Sequence, residues 1–456
     1  MAGLGCVHLL THDHYFIINY DSFYFHHMAK SIASVPHPPI IGSGLAYPIS
    51  YLGKIIGLEA ASLLISPLLG ILTGLVLYWG VSKLYSTKIA LLSIVCFIFA
   101  QIPRFVFLSG NLDRDGLHML IMTAGILGMG IFLKTQQRRY LALTFASIPL
   151  LYLEWGWPAL MQYLPVLVGI CILSFNVRHY RKERTWLLLG LLALAIVVIG
   201  RLVLYLYWFK GTNISELVPL NLWSLIQYST IAVPFFFGLK ETLRTKFGED
   251  DSTFPLAWVL SFLLMGCFAS RLSIYAAVPA CIIGGIGLQI MWEKRTVWKT
   301  VFVAGCLLFV GLSWVVPQNV KMPNDWHDAL VWIRQNTPAE SRVASWWDYG
   351  YWIKDVAERQ PWGVNENEET DHEVASFYFA PSEEVARDIM LSHGWGYVIM
   401  STRERHFLET IRSRAIPSAY ITLTWDPFYE QVMDVNFTPE LLTVSFRNES
   451  VVVLGY

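Results

Sequence analysis

The stretch LEAASLLISPLLGILTGLVLYWG, residues 58–80, carries one carboxylate at its second position and then no charge until Lys83. At about 1.5 Å of helical rise per residue it is long enough to cross the ~30 Å hydrocarbon core of a bilayer. Nine further apolar runs follow, near residues 89–106, 116–134, 139–154, 157–177, 185–208, 226–239, 254–270, 272–291 and 298–316. Hydrophobic residues make up 55% of the 456-residue chain and charged residues only 15%, with a mean hydropathy of +0.46. This composition excludes an ordinary soluble domain and predicts a polytopic α-helical membrane protein with membrane lipids among its partners. Several runs are shorter than the ~20 residues of a perpendicular span and need flanking residues to complete the crossing.

Charge divides the chain in two. Residues 1–320 hold 13 of the 34 acids and 22 of the 33 bases, whereas residues 321–456 hold 21 acids and 11 bases. The bases of the first part collect on alternate connections: Lys83 and Lys88; Lys134, Arg138 and Arg139; Arg178, Arg181, Lys182 and Arg184; Lys240, Arg244 and Lys246; Lys294, Arg295 and Lys299. The positive-inside bias makes these five connections cytoplasmic and sends the others outward. Residues 1–57 then form a first external loop, which implies a spanning helix ahead of it. Residues 58–320 form the multi-span part. Residues 321–456 contain no run long enough to span, mix helix and strand patterns, and form an external α/β domain. No nucleic acid partner is expected.

The external part contains Trp346-Trp347-Asp348-Tyr349-Gly350. Adjacent indoles supply flat apolar walls and N–H donors, and the neighbouring carboxylate accepts a hydrogen bond, so such a loop suits a short hydroxyl-bearing group such as a Ser or Thr side chain. An aromatic core cluster is the alternative use of the same residues. On this motif the chain resembles the catalytic subunit of oligosaccharyltransferase, the archaeal and bacterial single-subunit type. In that family the motif reads the hydroxyl of the Asn-x-Ser/Thr sequon, and the fold is a GT-C type membrane glycosyltransferase with a C-terminal external α/β domain.

Three acidic elements carry the resemblance into the membrane part. Asp21, in Asp21-Ser22-Phe23-Tyr24-Phe25-His26-His27, is similar to the family's first acidic motif, and the Asp113-Arg114-Asp115 triplet to the second. Thr212-Asn213-Ile214-Ser215-Glu216 resembles the family's Thr/Ser-Ile-x-Glu loop, with Asn213 where Thr or Ser is usual. Hard oxygen ligands from separate loops suit Mg²⁺ or Mn²⁺. The resemblance implies that Asp21, Asp113, Asp115 and Glu216 hold that metal, and that Asp21 and Glu216 also engage the acceptor amide. Arg271, opening an apolar run, matches the arginine that binds the donor pyrophosphate, and His118 or His26 is the histidine expected near donor phosphate or metal. The same resemblance implies that Trp346, Trp347, Asp348, Tyr349 and Gly350 bind the sequon hydroxyl, joined by Ile411 from a second motif in which Leu408 replaces the usual Lys or Met. Near Tyr228 no arginine is present to demand an acid before the acceptor, so a relaxed sequon is expected.

The implied reaction is metal-dependent transfer of an oligosaccharide from a polyprenyl phosphate or pyrophosphate carrier to Asn in acceptor polypeptides carrying Asn-x-Ser/Thr, on the external face of a cell membrane. A related GT-C enzyme acting on Ser/Thr hydroxyls or lipid would keep the external acids without needing the double-Trp loop. A transporter would place charges within its helices rather than in outer loops.

In the external domain the sequence predicts a helix over Asn324–Asn336, a helix start at Pro381-Ser382-Glu383-Glu384 with Gly394 after its last turn, and strands at Tyr397–Met400, Tyr420–Thr424, Leu442–Phe446 and Val451–Leu454. The Trp346 motif falls between elements. Two sequons, Asn436-Phe437-Thr438 and Asn448-Glu449-Ser450, lie in this domain. Asn436 is the expected target for the chain's own modification, because Asn448 adjoins the last predicted strand.

Overall fold

The computed structural model describes residues 20–34, 44–100, 103, 106–107, 111–173, 231–244, 253–266, 274–294, 322–363, 368–408, 411–412, 428–434, 436 and 438–456. The chain divides into two compact units, one of residues 1–10 and 32–318, the other of residues 11–31 and 319–456.

In the first unit, α2 (Ala46–Ile56), α3 (Leu58–Leu84), α4 (Thr87–Phe99), α5 (Arg114–Thr135), α6 (Arg138–Trp155), α7 (Trp157–Leu173), α8 (Ala232–Arg244), α9 (Thr253–Gly266) and α10 (Ala277–Lys294) coincide with the apolar runs, α2 excepted. The preceding helix, α1 (Tyr20–Ser34), is grouped with the second unit through residue 31. Among the described residues three helices are long and apolar enough to cross a membrane: Leu58–Leu84, Arg114–Thr135 and Ile274–Glu293. The remaining described runs give shorter helices, and the runs at 185–208 and 298–316 lie outside the described residues.

Small residues set the helix packing. A Cβ at Gly238 would lie 1.9 Å from the Ile283 carbonyl oxygen, and one at Gly287 would lie 1.8 Å from that of Pro234, so α8 and α10 meet backbone to backbone. This is close approach of the kind small residues permit in membrane helices, where dispersion replaces the hydrophobic effect as the packing force. Helix α10 also packs on α4, and α3 on α4 and α5.

The ends of these helices separate by charge. At one end Lys88 pairs with Glu293 at 2.8 Å, and Lys134 donates to the Leu84 carbonyl. The opposite end carries Asp113 and Asp115 at the start of α5, Glu154 at the end of α6 and Tyr275 just before α10.

The second unit is an α/β fold. Its five-stranded sheet has the order β2-β1-β3-β5-β4, with β1 (Arg342–Ala344), β2 (Gln360–Trp362), β3 (Tyr397–Ser401), β4 (Thr443–Arg447) and β5 (Val451–Gly455). β1 runs parallel to both β2 and β3; β5 is antiparallel to β3 and β4, with an irregularity between Val444 and Phe446. All five residues of β5 are buried, which its continuous Val-Val-Val-Leu run requires of a strand covered on both faces. Helices α11 (Asn324–Asn336), α12 (Glu368–Tyr378), α13 (Glu383–His393) and α14 (Phe428–Met433) complete the unit. Its core is rich in fully buried aromatics, including Trp326, Trp352, Trp395, Tyr378 and Tyr429.

The predicted α11 is found with the bounds expected. The start of α13 and strands β3, β4 and β5 fall within a residue of expectation, whereas Tyr420–Thr424 lies outside the described residues. Helix α13 ends on Gly394 at φ +64°, the left-handed conformation that glycine adopts without steric cost. Arg359, 8% exposed, closes the C-terminus of α11: its Nη2 donates to the Arg334 and Thr337 carbonyls at 2.6 Å each and its Nε to Thr337 Oγ1 at 2.9 Å. A guanidinium there meets the unpaired carbonyls and negative end of the helix dipole.

Candidate active site

The Trp346 motif is not an open loop between elements. It starts at the C-terminal end of β1 and enters the crossover to parallel β2: Trp347–Tyr349 form a 3₁₀ turn, Gly350–Trp352 an α turn, and Ile353–Ala357 a π turn. The chain then crosses to the other side of β1 to form β3, so β1 lies where the strand order reverses. In open sheets with parallel strands, ligands bind beyond the carboxyl ends of strands at such a switch point. Two strands end there: β1 delivers Trp346, and β3 delivers Ser401 and the 3₁₀ segment Thr402–Phe407.

The five motif residues divide between core and surface. Trp346 and Tyr349 are fully buried, as is Gly350, while Trp347 and Asp348 are half-buried. Tyr349 lies between Trp326, at 4.3 Å between ring centroids, and Trp352, at 5.3 Å. The Trp346 and Trp347 rings are 6.1 Å apart at 52°. Trp346 and Tyr349 therefore build the core, as the aromatic-cluster reading has it, and Trp347 and Asp348 are the two motif side chains that stay partly exposed. Ile411 is fully buried in the same core, with Leu408 packed against it.

A buried hydrogen-bond network that the sequence reading did not anticipate supports this end of the sheet. Glu404, wholly buried, accepts from the Ser401 backbone N–H at 3.0 Å and from the Ser401 hydroxyl at 2.5 Å, forming a capping box, and from Tyr378 Oη at 3.3 Å. Tyr429 Oη donates to the Ser401 carbonyl at 2.6 Å, and the Tyr378 and Tyr429 rings stack at 5.6 Å. Tyr378 also takes a hydrogen bond from the Trp346 backbone. Burial pushes the Glu404 carboxyl up to about 8, against the pull of its hydrogen bonds, so it is mainly protonated at neutral pH. The signal was local: a Ser followed three residues later by Glu.

Asp21 lies in the first turn of α1; its side chain lies outside the described residues. The next residues of α1 are anchored on the chain that follows Gly350: Phe23 meets Trp352 at 6.0 Å and Tyr24 meets Tyr351 at 4.9 Å. The backbone of the first acidic motif and the Trp346 motif thus belong to one packed unit. His26 on the same helix is held to about 4 by burial and by nearby Lys30 and His27, so it is neutral at physiological pH.

The second acidic motif heads α5. Asp113 is the N-cap, its carboxylate accepting from Asp115 N–H at 3.3 Å. Asp115, 4% exposed, accepts from Tyr275 Oη at 2.5 Å. One turn further in, fully buried His118 meets Glu154 Oε2 through Nδ1 at 2.9 Å and faces the Tyr275 ring at 5.0 Å. Tyr275 and Glu154 are remote partners whose roles no local pattern announces. Glu216 and Arg271 lie outside the described residues. Among the described residues no group of three or more His, Cys, Asp or Glu side chains forms a metal site. The donors present at the head of α5 are nevertheless carboxylate oxygens with no cysteine near in sequence, a set that suits a hard divalent cation.

Residues 339–405 match the family model described as AglB core domain. This range holds β1, the whole Trp346 motif and Glu404. A curated relative, dolichyl-phosphooligosaccharide-protein glycotransferase 3 of Archaeoglobus fulgidus, is 22% identical over 225 residues, 36% of this chain. That match spans 26% of the relative's length. The oligosaccharyltransferase of A. fulgidus in its apo form is similar in structure, with a TM-score of 0.67 and 16% identity over 88% of this chain and 68% of that one. Also similar in structure are the oligosaccharyltransferase AglB of A. fulgidus in complex with an inhibitory peptide and a dolichol-phosphate, with a TM-score of 0.64, and the A. fulgidus oligosaccharyltransferase in complex with Zn and sulfate, with a TM-score of 0.58. ArnT of Cupriavidus metallidurans gives a TM-score of 0.61 at 12% identity over 98% of this chain and 95% of that one. The fold is that of the GT-C membrane glycosyltransferases.

Proposed function

We propose that this chain, which resembles the oligosaccharyltransferases in core sequence and in fold, catalyses N-linked protein glycosylation: transfer of an oligosaccharide from a polyprenyl phosphate or pyrophosphate carrier to Asn of Asn-x-Ser/Thr, on the external face of the membrane. The observation that carries this reading is the Trp346–Gly350 motif at the switch point of the sheet, within the stretch that matches the AglB core. Half-buried Asp348 is the acceptor for the Thr or Ser hydroxyl, half-buried Trp347 is the wall beside it, and Trp346 and Tyr349 hold both from the core.

An amide nitrogen is a weak nucleophile because its lone pair is conjugated. Carboxylates that accept its N–H hydrogens orient it and reduce that conjugation, the work the resemblance assigns to Asp21 and Glu216. Arg271 is the fixed cation for the leaving phosphate, a role suited to a guanidinium. His118 is wholly buried against Glu154, so its part is to hold the head of α5 against α6 rather than to meet the donor directly. A divalent cation, Mn²⁺ or Mg²⁺, would be held by Asp113 and Asp115, with Asp21 and Glu216 as the further ligands of the resemblance; it supplies charge neutralisation to the leaving phosphate.

The ArnT likeness supports a second reading, glycosyl transfer to lipid. The AglB core match and the double-Trp motif favour a polypeptide acceptor. The test is purified protein with a fluorescent Asn-x-Thr peptide and a crude lipid-linked glycan extract. Glycopeptide forms, disappears with EDTA and returns with Mn²⁺ or Mg²⁺. An acceptor with Ala in place of Thr is rejected. Equal use of both peptides, or sugar appearing only on lipid, overturns the reading.

A further inference from the structure

The α/β unit contains two Asn-x-Ser/Thr sequons of its own, and the structure treats them differently. Asn448 sits at the β4–β5 turn with its side-chain amide engaged at both ends. Its Nδ2 donates to the Asp325 carbonyl at 2.9 Å, and its Oδ1 accepts from Val451 N–H at 2.8 Å and Ser450 N–H at 3.2 Å. The hydroxyl of this sequon is held as well, Ser450 Oγ donating to Asp325 Oδ2 at 2.5 Å. The nitrogen to be glycosylated and the hydroxyl to be recognised are thus both tied to Asp325 at the start of α11. Extracting them breaks the turn that joins the last two strands.

Asn436 and Thr438 are both exposed. The Asn436 amide has one local bond, Nδ2 to Asp434 Oδ1 at 3.2 Å, between exposed residues where water is an equal partner. The chain on either side is anchored independently of this sequon. Before it, Arg447 donates to the carbonyls of Val432 and Asp434, each at 2.9 Å. After it, the Glu383 carboxylate accepts the backbone N–H groups of Glu440, Leu441 and Leu442 at 2.7–2.9 Å. A bulky group on Asn436 therefore stands in solvent and displaces none of these anchoring contacts.

We infer that Asn436 is an N-glycosylation site of this protein and that Asn448 is a structural asparagine that stays unmodified, an inference that rests on the external placement proposed above. The carrier-linked oligosaccharide reacts at its first carbon. A bond forms from that carbon to Asn436 Nδ2, and the bond to the carrier phosphate oxygen breaks with its electron pair on the phosphate. One amide proton passes to solvent.

The full chain is produced in two archaeal hosts, one with its own N-glycosylation enzyme and one deleted for it, each secreting an Asn-x-Thr reporter protein. In the first host, glycopeptide mass spectrometry finds glycan on Asn436 and none on Asn448. A glycosylated reporter beside wholly unmodified Asn436, or glycan on Asn448, overturns the inference. In the deleted host, glycan on the reporter tests the proposed activity of the chain separately, and its absence there leaves the first result standing. Asn436→Gln removes the mass increment with an unchanged melting curve, whereas Asn448→Gln lowers thermal stability without changing the glycan. A lowered melting temperature for Asn436→Gln alone also counts against the assignment.

Discussion

The helical unit and the α/β unit both bury carboxylates, and they satisfy them differently. In the helical unit Asp115 depends on Tyr275, 160 residues away, and Glu154 on His118, 36 residues away. In the α/β unit Glu404 is satisfied first by Ser401, three residues away, and is kept protonated by its surroundings. Remote pairing ties helices together where there is little regular polar structure to share the work. Local pairing makes a stiff corner at the end of a strand, from which a binding loop can be held. The difference suits the parts assigned to them: one unit has to gather groups from separate helices, the other has to fix the shape of one short segment.

The sharpest way to break this contrast is to remove one member of the remote pair. Glu154→Ala strips His118 of its buried partner and is expected to destabilise the protein in detergent by about 3–5 kcal/mol, the scale for orphaning one side of a buried pair. Thermal unfolding measures it, and adding His118→Ala should recover part of the loss; strictly additive losses would show that the two side chains do not depend on each other. A comparable effect in the other unit should come only from the core half of the motif. Trp346→Ala, which empties a fully buried site, costs about 3–5 kcal/mol of stability, whereas Trp347→Ala, at a half-buried ring packed on the same core, lowers the melting temperature clearly less. If the two variants melt together, the division of the motif into core and surface is wrong.

Smaller effects sharpen the comparison. Asp348→Ala should weaken acceptor-peptide binding about ten- to a hundredfold, roughly 1–3 kcal/mol for a lost hydroxyl partner; fluorescence anisotropy of a labelled peptide reads it. Glu404 provides a pH signature. Its carboxyl is ordinary when unfolded and raised to about 8 when folded, so between those values the folded state binds the extra proton. Stability therefore falls as pH rises from the ordinary carboxylate range towards 8 and levels off above it. Glu404→Gln should flatten that slope. An unchanged slope in the variant would place the titration elsewhere.

Much of this architecture was legible in the sequence, for identifiable reasons. The stop at Asn336-Thr337-Pro338 and the apolar spacing of Trp326, Leu330 and Ile333 define α11 without tertiary help. Val451–Leu454 is apolar at every position and reads directly as a buried strand. The strands β1 and β2 have three residues each, too few for any alternation to register, so the parallel crossover that carries the Trp346 motif was hidden, and the motif read as a loop. Neighbouring tryptophans cannot reveal which one faces the core, because that depends on the 3₁₀ turn that begins at Trp347. Tyr275 and Glu154 stayed hidden because their partners are fixed by helix packing. The tight α8–α10 crossing left a visible trace in Gly238 and Gly287, but two glycines in apolar runs do not say which helices meet.

Arg359 has a consequence for the conditions under which the α/β unit keeps its shape. Its charge is met by carbonyl and hydroxyl oxygens at the end of α11, and among the described residues no carboxylate is paired with it. The exposed Arg334–Glu358 pair at the same joint, at 3.4 Å, is the contact that mobile ions weaken by screening. A buried guanidinium held by fixed backbone dipoles offers those ions little to compete for, and no partner there can be neutralised by acid. The part of the joint between α11 and the edge strand β2 that Arg359 holds is therefore insensitive to salt and to acid, and it stays in place when the neighbouring Arg334–Glu358 pair is screened or neutralised, so the motif carried between β1 and β2 keeps its footing.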